Sequence, residues 1–318
     1  LIPFIFFLLI IFAFVCQKQE SRPKGRTHAD WTTNKTIYEL NIRQFSNSGT
    51  FNAIYHRLIA IKELGVKTIW LMPIHPIGEK NRKGTLGSYY SVKDYRAVNP
   101  EFGTMEDFKK LVDKIHEMGM YVIIDWVANH TAWDNPLIEE HPDWYTQDST
   151  GQIIAPVPDW TDVADLNYDN PEVWDYMITS MKFWITETNI DGFRCDVAEM
   201  VPLSFWNRAR KELDAIKPVF MLAEGAKPEL HDQAFDATYS WELFHLMNEI
   251  AQGKKTALSI DTLLAKEEKT YPVSAMIMRF TSNHDENSWN GTVFERLGDG
   301  AQTFAVLTAT LPGVPLLY

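Results

Sequence analysis

The sequence predicts an α/β fold: a parallel (β/α)8 barrel of the TIM type, with a small subdomain inserted between its third strand and third helix. Three observations predict it. Short apolar strands alternate with amphipathic helical stretches from residue 36 onward, the strands number eight, and one interval, 131–170, breaks the rhythm. The eighth strand is still running at Tyr318, so the same reading expects the C-terminal part of the barrel to be missing.

"TIYELNIRQF" reads as the first strand, and 51–64 as a helix closed by Gly65. "KTIWLMPI" is the second strand. "TMEDFKKLVDKIHEMG" then places apolar residues at helical spacing, with Thr104 as N-cap and Gly119 as stop. "YVIIDWVANH" is the third strand, 171–188 a helix, and "IDGFRCDVA" the fourth strand. "VFMLAEG", "DATYS", "MIMRFTSNHD" and "GVPLLY" complete the eight. The interval 131–170, rich in Pro, Asp and Trp, is long for a strand-to-helix loop and reads as a subdomain above the barrel's C-terminal face.

With 30 Lys+Arg against 42 Asp+Glu, the chain carries a net charge of −12. That balance argues against nucleic acid and anionic membrane as partners, since both select basic patches. A neutral substrate is compatible with it. The run "LIPFIFFLLIIFAFV" is shorter than a bilayer span and resembles the apolar part of an export signal, so 1–30 reads as leader and linker and 31–318 as the barrel domain. Export is therefore expected, with the protein secreted, periplasmic or anchored at the cell surface through a lipidated Cys16. Cys195, the one other cysteine, makes neither a disulfide framework nor a zinc site and reads as a packed apolar residue.

In such barrels chemistry sits at the C-terminal strand ends. There the third strand carries Asp125, Asn129 and His130, and the fourth Arg194 and Asp196. The fifth ends in Glu224, and the seventh in Asn283, His284 and Asp285. Singly, each has a plain reading as a turn, cap or core residue. Together, carboxylates crowded on one rim repel each other, a cost that packing does not explain. Two close carboxylates serve glycoside hydrolysis with retention: one ionised nucleophile and one protonated acid that later acts as base. Arg194, two residues before Asp196 on one strand face, is expected to hold that Asp ionised. Glu224 after an apolar run suits the acid, and Asp285 is left to grip sugar hydroxyls and stabilise positive charge.

The segments "DWVANH", "GFRCDVAEM", "AEG" and "FTSNHD" resemble, in order and spacing, four signature regions of the α-amylase superfamily of glycoside hydrolases. "VADLN" resembles a fifth region of that family, and "GSYYSVKDYRAVNPEFGT" its second-strand loop. The resemblance implies Asp196 as nucleophile, Glu224 as acid/base and Asp285 as transition-state stabiliser. It implies Tyr90, His130, Arg194 and His284 as substrate-binding residues, with Asp125 structural beneath them. It also implies Ca²⁺ held by Asn129, Asp165 and the backbone carbonyl of Met200, an oxygen donor set suited to that ion. The implied substrate is a starch-like α-1,4-glucan or maltooligosaccharide. Val197 and the short subdomain look more like neopullulanase-type, 1,6-tolerant members; a transglycosylase and a non-catalytic carbohydrate-binding relative are the other readings. Trp133, Trp144, Tyr145 and Trp160 either stack sugars or pack a mini-core.

Overall fold

A computed structural model describes residues 22–318; the expected leader and Cys16 lie outside the described residues. Ten strands form in chain order: β1 Ile37–Leu40, β2 Thr68–Leu71, β3 Tyr121–Trp126, β4 His130–Ala132, β5 Val163–Asp165, β6 Gly192–Cys195, β7 Phe220–Ala223, β8 Ala237–Tyr239, β9 Met276–Arg279 and β10 Val314–Leu317. Eight of them close a barrel in the order β1–β2–β3–β6–β7–β8–β9–β10, with β10 returning to β1 and every pairing parallel. These are the eight strands expected from the sequence. β4 and β5 form a separate antiparallel pair within the inserted interval.

Strand periodicity carries the site. Side chains two apart share a face, so Ile123, Phe220, Leu222, Met278, Val314 and Leu316 fill the barrel interior as one apolar cluster. Continuing along the same face, Ile123 leads to Asp125 and Leu222 to Glu224, with Asp125 registered against Arg194. The interior thus turns from apolar to ionic toward its C-terminal end. The opposite strand face packs on the helices in a second, larger cluster that includes Cys195, fully buried as expected.

Helix ends follow their sequence signals. Thr104 and Asp107 form a reciprocal capping box on Met105–Glu117. Helix Pro171–Thr188 starts on an Asn170 cap and stops at Asn189 in the left-handed region. Four expected elements are shorter than their apolar runs. The first strand yields at Ile42 to a helical turn capped by Asn41. The helix over 51–64 is two pieces, Phe51–Tyr55 and Leu58–Glu63. The fourth strand ends at Cys195, because Val197 is left-handed. The seventh ends at Arg279, and Asn283 then caps a helix, His284–Trp289. Among the described residues no helix is long and apolar enough to cross a membrane.

Candidate active site

Arg194 is the centre of the ionic layer. Fully buried, it stands on β6 with its guanidinium 5.0 Å from the Trp70 ring. Its Nη1 donates to Asp125 Oδ1 at 2.9 Å and to Asp196 Oδ1 at 3.0 Å, and its Nε donates to Tyr239 Oη at 3.1 Å. Nη2 lies 3.0 Å from Glu224 Oε1, an ion-pair distance without hydrogen-bond alignment. One guanidinium therefore faces three carboxylates contributed by three neighbouring strands. Glu224 is fixed on its other oxygen, Oε2, by the Val197 backbone N–H at 2.7 Å. Val197 reaches that position with φ 35° and ψ 48°, a costly region for a β-branched residue and a mark of local strain at the site.

A second buried chain adjoins it. His284 Nδ1 meets Glu39 Oε1 at 2.5 Å, and its Nε2 meets Tyr90 Oη at 2.7 Å. Tyr90 donates in turn to Asp125 Oδ2 at 3.1 Å, and its ring stacks on the imidazole at 5.4 Å. Burial alone lowers the His284 pKa, but the adjacent Glu39 carboxylate outweighs it and lifts the imidazole to about 9. A charged His284 donates from both nitrogens, which gives every hydrogen bond from Glu39 to Asp125 a consistent direction.

Five carboxylates, Glu39, Asp125, Asp196, Glu224 and Asp285, here face two cations, Arg194 and His284. Burial pushes Asp125 up to about 6 against the pull of Arg194. Burial, and then the charge of Glu224, push Asp196 well above the usual carboxylate range. Arg194 is the expected electrostatic partner of Asp196, and its guanidinium is shared with Asp125 and Glu224. The excess of carboxylates over cations favours a positively charged transition state above them.

The cleft over this layer has a volume of about 680 Å³, within the size range of ligand sites. Asp196, Glu224, Asp285, Tyr90, His130 and His284 all line it. Arg194 does not; sealed beneath them, it touches carboxylates rather than the cavity, so its expected place among the substrate-binding residues is corrected to an electrostatic one. His130 is held neutral, its pKa lowered by burial to about 4. Asp285 is the most open carboxylate of the group, with its side chain 42% exposed and its Oδ2 3.3 Å from His284 Nε2. Among the subdomain aromatics, Trp144 and Tyr145 are buried in the core, whereas Trp160 lines the cleft. Trp133 donates its indole N–H to the Thr161 carbonyl. Sequence reasoning missed Glu39, whose signal was a lone acid within the apolar run "IYEL".

For calcium, pairing of β4 with β5 sets His130 opposite Asp165, and the Leu166 N–H donates to the Asn129 carbonyl at 3.1 Å. Asn129 and Asp165 are thereby neighbours. Asp165 is partly buried, its pKa is raised by desolvation, and no Lys or Arg pairs with it among the described residues. No group of three or more His, Cys, Asp or Glu suited to a metal occurs among the described residues. A calcium site here would rest on amide and carbonyl oxygens beside that one carboxylate, a donor chemistry that suits the ion.

A family model for the alpha-amylase catalytic domain matches residues 25–159 and 140–318. The chain belongs to the alpha-amylase family. An alpha-amylase from Lactobacillus plantarum superposes with a TM-score of 0.82 at 40% identity, over 90% of this chain and 71% of that one. A maltogenic alpha-amylase, AmyB from Thermotoga neapolitana, superposes at 0.81 with 38% identity, over 89% and 67%. Alpha-amylase MalA of Haloarcula japonica is 28% identical over 302 residues, covering 91% of this chain and 44% of its own length. The chain spans about half the length of the curated relatives it matches. Its alpha-amylase-family barrel accounts for almost all of the described residues.

Proposed function

We propose that the protein is a retaining glycoside hydrolase that cleaves α-1,4-glucosidic bonds in starch-like glucans or maltooligosaccharides. The observation that carries this reading is that Asp196 and Glu224 flank one buried guanidinium, each 3.0 Å from a different terminal nitrogen, on the floor of a cleft. Close paired carboxylates fit a double displacement. Glu224 protonates the glycosidic oxygen while Asp196 Oδ attacks the anomeric carbon and the bond to the leaving sugar breaks. Glu224 then takes a proton from water, which displaces Asp196 from the same carbon. Asp285 and the anionic layer stabilise the oxocarbenium-like states, and Tyr90, His130 and charged His284 hold the ring at the point of cleavage. Asn129, Asp165 and the Met200 carbonyl would hold Ca²⁺, which would serve a structural part.

A neopullulanase-type enzyme with 1,6-tolerance is the second reading, supported by the likeness to a maltogenic relative. One product profile of the full-length protein on amylose, pullulan and maltotriose tests both. Hydrolysis of amylose with retained anomeric configuration, lost at least about a thousandfold in Asp196→Asn without loss of fold, is expected. Inverted product, or an Asp196→Asn variant of undiminished activity, overturns the mechanism. Efficient cleavage of pullulan selects the second reading.

A further inference from the structure

Trp289 is out of place for an indole. It is 82% exposed and belongs to none of the three hydrophobic clusters of the described residues. An indole left in water keeps its apolar face free to stack on a ring in the cleft it lines. It closes the helix His284–Trp289, four residues after Asp285. That spacing sets both side chains on one helical face, and Trp289 lines the same cleft as Asp196 and Glu224.

The same cleft is also lined by polar groups. Lys83 bonds the Asp159 carbonyl and lies 3.6 Å from Asp162 Oδ1, and both acids line the cleft beside Trp160. The cleft therefore offers an exposed aromatic ring together with hydrogen-bond donors and acceptors. A glucose ring has the matching form, an apolar face of C–H groups and an edge of hydroxyls.

We infer that Trp289 is a stacking platform for a glucose ring of the bound glucan outside the unit held over Asp196, and that it sets a preference for longer chains. This inference rests on the glucan-active reading of the cleft. The experiment compares the full-length protein with Trp289→Ala and Trp289→Phe on maltotriose and maltoheptaose, alongside the quenching of tryptophan fluorescence by maltoheptaose. In Trp289→Ala, kcat/KM is expected to fall about tenfold further on maltoheptaose than on maltotriose, through KM, with Phe restoring most of it. Part of the fluorescence change is expected to vanish with the indole. Equal losses on the two substrates, or a quenching signal that Trp289→Ala leaves intact, overturn the platform. A wild-type protein that shows Trp289-dependent quenching and cleaves neither substrate upholds the platform and overturns the hydrolase reading. Neither quenching nor cleavage overturns both.

Discussion

Glu39 governs more of the site than its single contact suggests. It is 1% exposed, one of its oxygens bonds His284, and the other has no protein partner. The groups facing the His284 imidazole are Glu39, Tyr90, Asp285, Asp125 and Arg194, and Glu39 is the one that raises its pKa most. In Glu39→Gln the burial cost is left nearly unopposed, so the alkaline limb of kcat/KM is expected to move acidward by about one pH unit or more, with Asp restoring part of it. An unmoved limb would sink the assignment. The stability effect has the same origin: a histidine raised to about 9 contributes stability that is complete below its unfolded pKa of about 6.5 and is lost as pH rises through 9. Wild-type Tm should therefore fall between those values more steeply than that of Glu39→Gln. Residues such as Asp125, Asp196, Glu224 and His284 were legible because each ends an apolar run at a strand's C-terminal edge. Glu39 lies within its strand, where a lone acid looks like any solvated position until the barrel closes over it. Likewise, the sharing of Arg194 among three strands is a tertiary fact with no local sequence sign.

At the scale of elements, two glycines let strands approach. A Cβ on Gly192 would lie 1.9 Å from the Phe220 carbonyl oxygen, and one on Gly313 would lie 2.2 Å from that of Ile277. Both hold positive φ, at 152° and 138°. Gly192 opens β6 two residues before Arg194, so a side chain there wedges β6 from β7 beneath the ionic layer. Gly192→Ala is expected to destabilise the protein by about 3 kcal/mol or more, read as a lower denaturation midpoint at unchanged m-value. Wild-type stability would show that the pairing relaxes freely. The strand order was legible because alternation of strand and helix leaves a parallel barrel few other topologies. Strand ends were not, since apolar composition continues past the last ladder bond. At Val197 it runs straight through a left-handed residue, and at Asn41 a polar side chain turns the chain into a helix.

Across the whole molecule the inserted subdomain and the barrel share one apolar cluster, in which Leu137, Trp144, Tyr145, Ala164 and Leu166 pack with Trp126, Val127 and Ala128. Tyr95 donates to the carbonyls of Val127 and His130, Tyr168 to that of Ala128, and Ser91 to that of Asp162. The bonds of Tyr168 and Ser91 tie the inserted subdomain to the barrel, and those of Tyr95 hold the segment that leads from β3 to His130 in the cleft. Asp165, at the end of β5, adds a carboxylate there with no Lys or Arg against it among the described residues, in a chain whose net charge is −12. The calcium ion proposed above would supply a cation there and tie Asn129, on the barrel side, to the subdomain, and its binding free energy would add to the folding free energy. Treatment with a chelator is then expected to lower Tm by several degrees, with calcium restoring it and magnesium, which demands tighter geometry, restoring less. Asp165→Asn should lower the starting Tm and abolish the response to calcium. A melting curve indifferent to chelator, with Asp165→Asn as stable as wild type, would mean that the shared apolar cluster and the hydrogen bonds of Tyr168 and Ser91 hold the seam between subdomain and barrel unaided.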